Sequence, residues 1–328
     1  MILVTGGAGF IGSNLVAGLE ESGAGPLVVC DRKGAGDNGR TVAKRRLEAC
    51  IEPEALFPFL DAHRAEMREV FHLGAISSTM ETDASLFARN NYRLSLDLWR
   101  WCAAADVRFI YASSAATYGD GAMGFDDDGS QSALAALRPL NLYGRSKHLF
   151  DRRVAALVAK GAAQPPQWAG LKFFNVYGPN EYHKGNQKSV VATAYPAAAA
   201  GQPVRLFKSY DAKYADGGQL RDFVWVGDCV AVMLWLLQHE DVSGLFNVGS
   251  GRARSFEDLA KALFAALGRA PEIEYIDMPE SIRERYQYFT EARMTRLRDA
   301  GFDQPPTSLE TGVASYVRDY LTQEDPYR

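Results

Sequence analysis

Met1-Ile-Leu-Val-Thr-Gly-Gly-Ala-Gly-Phe-Ile-Gly12 opens the chain: an apolar strand, Ile2-Leu3-Val4, runs straight into glycines at Gly6, Gly9 and Gly12. A short buried strand, a tight glycine turn and an amphipathic helix together form a clamp for a pyrophosphate. The turn needs glycine where φ is awkward, and a missing side chain lets phosphates approach the backbone. The helix that follows, about Phe10 to Glu21 with Ile11 in its first turn, points its free N–H groups at the same place. A second apolar strand, Leu27-Val28-Val29-Cys30, ends in Asp31. An acid about 20 residues past such glycines catches a ribose hydroxyl. Glycines at a strand end are common. In this order, with the second strand and its acid, they mark a dinucleotide-binding βαβ unit.

Working outward, strand-like and helical segments keep alternating. Val70-Phe71-His72 follows a charged helix, Phe109-Ile110-Tyr111-Ala112 follows a long helix around Ser85–Ala105, and Leu171-Lys172-Phe173-Phe174 follows a helix that begins near Tyr143. Regular β-then-α alternation predicts an α/β fold, a Rossmann-type doubly wound parallel sheet. Past about residue 180 the rhythm loosens into polar loops and short helices, including an exposed loop or flap over Lys208–Leu220. The expected division is a dinucleotide-binding domain over 1–174 and a smaller C-terminal α/β substrate lobe over 175–328. Two later strands, near 223–226 and 245–248, are expected to rejoin the first lobe.

With 328 residues and 47% hydrophobic content, the chain can bury a large core. A net charge of −4 argues against a nucleic-acid surface or a membrane-binding face. No apolar run approaches the roughly 18–20 residues of a spanning helix, and the first residues are already strand rather than signal peptide. Cys30, Cys50, Cys102 and Cys229 are scattered and the five histidines dispersed, so no metal site is expected. Reduced thiols in a cytoplasmic protein are the simplest expectation.

The chemistry is written after the Phe109–Ala112 strand. Ser113-Ser114-Ala115-Ala116-Thr117-Tyr118-Gly119 is followed by Tyr143-Gly144-Arg145-Ser146-Lys147. Tyrosine and lysine four residues apart share a helical face. An ammonium near a phenol favours the phenolate, so Lys147 is expected to lower the pKa of Tyr143. Tyr143 can then take or return a hydroxyl proton while hydride moves to or from a nicotinamide. Lys147 can hold the nicotinamide ribose, and Ser114 can steady the reacting oxygen.

With these residues the chain resembles the extended short-chain dehydrogenase/reductase family, whose pattern is Thr-Gly-x-x-Gly-x-x-Gly plus Ser and Tyr-x-x-x-Lys. The resemblance covers essentially the whole length. Within that family, Ser113–Gly119, Asn141–Lys147, Phe174–Gly185, Arg221–Val224 and Arg285–Thr290 are most similar to the branch that epimerises ADP-linked heptose at C6. His183-Lys184-Gly185 is the most specific of these, because general nucleotide-sugar epimerases lack a lysine there. The resemblance implies transient oxidation to a 6-ketone and re-reduction on its other face. Tyr143 would serve one face and Lys184 the other, with Ser114 on the oxygen. It further implies that Leu73, Gly74, Ala75, Ile76, Ser77, Asn90, Val176 and Lys184 lie against the cofactor. Asn175, Asn186, Thr193, Phe207, Arg221 and Tyr286 would contact substrate, the arginine as a paired donor to the diphosphate. A homo-oligomer, by resemblance a pentamer, is implied as well.

The cofactor choice turns on the end of the second strand. Asp31 favours an unphosphorylated ribose, whereas Arg32 can pair with a 2′-phosphate. NADP is therefore expected, with NAD possible. Pro53 stands where the family carries a further lysine, and Arg40, Lys44 or Arg45 are the available substitutes. Three other readings compete. A 4,6-dehydratase needs an Asp-Glu pair where Ala115 and Ala116 stand. A UDP-sugar 4-epimerase shares Ser, Tyr and Lys but not His183-Lys184-Gly185. A non-catalytic nucleotide-binding module usually loses the tyrosine or the lysine. His72 is expected to be a packed strand-end residue.

Overall fold

The computed structural model describes residues 1–32, 38–283 and 286–328. The side chains of Asn38, Asn186 and Ser281 also lie outside the described residues. The first lobe runs β1 (Ile2–Thr5), α1 (Phe10–Glu21), β2 (Leu27–Cys30), α2 (Asn38–Val42), β3 (Ala49–Ile51), α3 (Leu56–Ala62), β4 (Glu69–His72), α4 (Ala84–Phe87), α5 (Leu94–Ala105), β5 (Arg108–Ser114), α6 (Gln131–Ala136), α7 (Leu142–Ala159) and β6 (Trp168–Phe173). Its strands form a wholly parallel sheet in the order β3-β2-β1-β4-β5-β6. That order reverses between β1 and β4, where doubly wound sheets open a crevice for a nucleotide. β1, β2 and β4 are buried at every position because helices cover both faces. Each fully buried aliphatic side chain there contributes about 1.5–3 kcal/mol.

The helix expected around Ser85–Ala105 is a continuous helical run, interrupted at Ala88–Arg93 by a π-helical turn between α4 and α5. Such a turn often marks a functional position, and this one carries Asn91.

The second lobe begins with β7 (Asn175–Tyr177) and continues through α8 (Val190–Ala199), β8 (Val204–Phe207), β9 (Leu220–Trp225) and α9 (Val226–Gln238). After β10 (Gly244–Val248) come β11 (Ala253–Ser255), α10 (Phe256–Ala266) and β12 (Ile273–Ile276). β10 returns to the large sheet as a seventh strand beside β6, with all five residues buried. The matching expectation for Phe223–Val226 is corrected. β9 pairs with β7 and β11 in a separate three-stranded sheet. The free edge of β6 is already taken by β10, whereas β7 offers its own. β9 faces two cores: Val224 packs into the first-lobe cluster and Phe223 into the cluster around α10 and helix Leu309–Tyr316. Short strands β3, β7, β8, β11 and β12 carry too few residues to show a period in the sequence.

Among the described residues, no helix is long and apolar enough to cross a membrane, and no group of His, Cys, Asp or Glu side chains could hold a metal ion.

Candidate active site

The glycine turn closes against the neighbouring strand. Gly6 has φ +66°, and a Cβ there would lie 2.5 Å from the Gly74 backbone nitrogen. Only glycine allows that approach, which brings the ends of β1 and β4 together at the switch point. Gly9 caps α1 with no side-chain bond, leaving the first N–H groups of the helix for an anion. Asp31 braces this clamp, accepting from the Ala8 N–H at 2.9 Å and the Arg32 N–H at 2.8 Å. The fold therefore fits a dinucleotide, and Gly6, Gly9, Phe10, Ile11, Gly12 and Asp31 are the residues this clamp would offer it. Arg32 is exposed beside Asp31. The other candidate 2′-phosphate cations are already engaged. Arg45 pairs with Glu20 at 2.8 Å, Lys44 with Asp325 at 2.9 Å, and Arg40 lies over the Tyr327 ring.

Leu73–Ser77 follows β4, and of the two adjacent asparagines Asn90 and Asn91 it is Asn91 that fixes it. Asn90 turns its amide back to the Leu86 carbonyl, four residues earlier. Its neighbour Asn91 is fully buried, accepts from the Ile76 N–H, and donates to the Ile76 carbonyl and the Ser146 hydroxyl, each at 2.9 Å. Asn91 thereby ties the cofactor loop to α7. The π-helical turn decides which of two adjacent asparagines points inward, and no sequence periodicity reports that. His72 is a packed residue, as expected, bonded to the hydroxyls of Thr5 at 2.7 Å and Ser95 at 2.9 Å. Burial holds its imidazole down at about 3, so it is neutral.

Tyr143 lies in the first turn of α7, which Asn141 caps by accepting from the Gly144 N–H at 2.8 Å. A Cβ on Gly144 would fall 2.6 Å from the Ala116 carbonyl oxygen, so the helix start can rest directly on the Ala115–Tyr118 turn after β5. That contact brings Tyr143 to Ser114. Burial raises the Tyr143 phenol above its ordinary range, a hydrogen bond with Ser114 opposes this, and the Asp151 charge adds to the rise. The expectation that Lys147 tunes this phenol is corrected: the downward pull comes from Ser114. Lys147 is itself buried, which brings its ammonium down to about 8 against the opposing charge of Asp151.

Lys184 arrives from the other lobe, in a short turn at Tyr182–Gln187. Its Nζ lies 5.2 Å from the Phe10 ring centroid, over the first residue of the pyrophosphate helix. Burial lowers its pKa while Glu181 works to raise it. Glu181 is fully buried and accepts from the Ser189 N–H at 2.5 Å and the Ser189 hydroxyl at 2.6 Å, closing the turn onto the start of α8.

One cavity of about 680 Å³ collects these groups: Ser77, Ser114, Tyr143, Asn175, Val176, Lys184 and Tyr286 all line it. Three residues missed in the sequence join them. Gln287 donates to the Gly119 carbonyl at 2.7 Å, Thr290 lies 3.4 Å from the Asn175 amide oxygen, and Met80 stands exposed at the wall. Thr193 does not reach the cavity and is exposed on α8. Phe207 stands behind the wall, edge-on to the Tyr286 ring. Ala115 and Ala116 line the cavity where a dehydratase would place its acids.

Arg221 is buried with its guanidinium over the rings of Tyr286 and Phe256, at 5.2 and 5.6 Å. Its neighbour Asp222 is occupied elsewhere, accepting from Ser250, Gly251 and Ala292. Among the described residues Arg221 has no salt bridge; a buried cation held only by rings and the Leu220 carbonyl suits an anionic ligand.

Fold, glycine clamp and Ser-Tyr-Lys constellation define a class. Residues 2–249 match the NAD dependent epimerase/dehydratase family, and the chain belongs to it. It is 48% identical to the ADP-L-glycero-D-manno-heptose-6-epimerase of Nitratidesulfovibrio vulgaris (strain DP4), with both chains covered completely. With the enzyme of the same description from Fusobacterium nucleatum it shares 44% identity, again over the whole of both. Among solved structures, Helicobacter pylori ADP-L-glycero-D-manno-heptose-6-epimerase is similar with a TM-score of 0.78 at 28% identity, covering 97% of this chain and 95% of that one. Thermus thermophilus UDP-glucose 4-epimerase, in complex with NAD, gives 0.73 at 26% identity, covering 96% and 97%.

Proposed function

We propose that this chain converts ADP-D-glycero-D-manno-heptose to its L-glycero epimer at C6, supplying heptose for the lipopolysaccharide core, with NADP as the bound cofactor. The observation that carries the reading is that Tyr143 and Lys184, borne by different lobes, line one cavity together with Ser114. Inversion through a ketone needs proton transfer on both faces of the carbonyl, and two separately supported groups provide it. A bound nicotinamide supplies the hydride acceptor and donor for both halves of the reaction. Tyr143 Oη exchanges the hydroxyl proton on one face and Lys184 Nζ on the other, while Ser114 Oγ hydrogen-bonds the oxygen. Lys147 holds the nicotinamide ribose, Asn175 holds the sugar, and Arg221 with Tyr286 holds the ADP diphosphate. Full-length identities of 48% and 44% with two heptose epimerases favour the C6 reaction over the C4 one.

NADP is preferred because Arg32 is exposed beside Asp31 and free to meet a 2′-phosphate, a role that Arg40, Lys44 and Arg45, already engaged, do not share. Arg32→Ala is expected to weaken NADP more than NAD; equal losses would remove the 2′-phosphate assignment. The protein is proposed to act in the cytoplasm as a homo-oligomer. The direct test is proton NMR with ADP-D-glycero-D-manno-heptose and NADP⁺. Appearance of the L-glycero epimer without accumulating NADPH supports the reading; conversion of UDP-galactose alone would move the enzyme to the 4-epimerases.

A further inference from the structure

A buried ion pair lies one layer behind the candidate catalytic groups. Asp151 is on α7, one turn beyond Lys147 and two beyond Tyr143, so the three share a helical face. Lys172 comes from β6, and its Nζ donates to Asp151 Oδ2 at 2.9 Å. Both side chains are buried from solvent. The Ser113 hydroxyl adds a bond to Oδ2 at 2.7 Å, and the Tyr111 phenol one to Oδ1 at 3.1 Å. Lys172 also donates to the Thr117 hydroxyl at 2.8 Å, and that hydroxyl donates to the Ser114 carbonyl at the same distance. Its ammonium lies 4.9 Å from the Tyr118 ring centroid.

An ion pair this deep is seldom a net gain in stability, because desolvating two charges offsets their attraction. Its position suggests another use. Lys147 is 3% exposed, and a buried lysine without a nearby anion sheds its proton. The groups around it do not supply that anion. On β4, His72 is neutral; on β5, Tyr111 is a phenol bonded to Asp151; on β6, Lys172 is a cation. On α7 itself, Tyr143 is a phenol, and burial holds His148 down at about 4. Of the elements packed against α7, the π-helical turn carries Arg89 and Arg93, both exposed, the turn after β5 carries the Tyr118 phenol, and α4 and α6 carry no charged side chain.

We propose that Asp151 is a positioning residue for Lys147: anchored by Lys172, Ser113 and Tyr111, it fixes a negative charge one helical turn behind Lys147 and keeps that side chain an ammonium. The ammonium then holds the cofactor ribose, and the same network, through Thr117, sets the Ser114 strand end. This deepens the epimerase reading and rests on it for the rate, but not for cofactor binding.

The test uses the enzyme loaded with NADP⁺, and with NAD⁺ in parallel, as wild type, Asp151→Asn and the neutral double variant Asp151→Asn/Lys172→Met. The release rate of bound dinucleotide is followed across the neutral and alkaline range, beside the pH profile of epimerisation. Release should accelerate as Lys147 loses its proton, and in both variants that acceleration should begin about one pH unit lower than in wild type. A purely structural role predicts that the double variant, with no uncompensated charge, recovers the wild-type midpoint; that result would overturn the proposal. If Asp151→Asn alone does not fold, the double variant still decides. Wild-type protein that releases dinucleotide with the expected pH dependence but epimerises no ADP-heptose would sink the substrate reading and leave this one standing.

Discussion

Tyr143 and Lys184 reach one cavity from supports of opposite kinds. Tyr143 stands in the capped first turn of an 18-residue helix, pressed through Gly144 onto the turn after β5. Lys184 stands in a six-residue 3₁₀ turn whose backbone leaves helical geometry at Gly185 and which is tied down by side chains, among them Glu181 on Ser189, the Tyr182 hydroxyl on the Pro326 carbonyl and the Gln187 amide on the Ser77 carbonyl. The first group is placed by regular structure and the second by a few side-chain bonds, those of the buried Glu181 carboxylate and of the Tyr182 hydroxyl among them. A group placed by a helix is hard to move by one substitution; a group placed by a few side-chain bonds is easier to move.

The largest expected effect breaks the Tyr143 side at the chemistry itself. Tyr143→Phe should lower turnover by about two to four orders of magnitude, the usual worth of a general acid/base, while bound cofactor is retained. Turnover near wild type would remove Tyr143 from the mechanism. Lys184→Met should slow epimerisation by about a hundredfold with either epimer as substrate; an unchanged rate would return Lys184 to a role in the turn alone. Glu181→Gln sharpens the comparison. Losing one acceptor of a buried charge-assisted set should cost about 1–3 kcal/mol in urea unfolding and lower turnover through Lys184, with Tyr143 undisturbed. The smallest pair concerns two neighbours: Asn91→Ala should weaken cofactor binding by about 1–2 kcal/mol, whereas Asn90→Ala should stay within about 0.5 kcal/mol. Calorimetric titration with dinucleotide separates them.

The same contrast explains what the sequence makes legible. The Rossmann half is written in residue order because β1, β2 and β4 are continuous buried runs, each followed by a helix with its own period. Ser114, Tyr143 and Lys147 follow from that half, since a strand end and one helical face fix them. Lys184 is found through the resemblance, not through any period. Asn91, Gln287 and Thr290 stay hidden because an irregular turn or a loop from the far end of the chain delivers them. Thr193 lies beyond the turn that Glu181 closes, exposed on α8 and away from the cavity lining, a rotation no nearby residue announces. The support for Arg221 as an anion-binding residue, a buried guanidinium with Asp222 turned away, exists only in three dimensions.

Returning β10 to the large sheet means that the chain enters the second lobe after β6 and later goes back to complete the first. The two lobes therefore cannot be separated by one cut. A fragment ending at residue 174 would carry β6 with the bonding edge of Trp168–Phe173 bare, beside the apolar side chains of Ala169, Leu171 and Phe173. An open, apolar edge of that kind recruits strands from other molecules. Such a fragment should be recovered as aggregate, and adding back the Gly244–Val248 strand should matter more to its solubility than any change at the cofactor clamp.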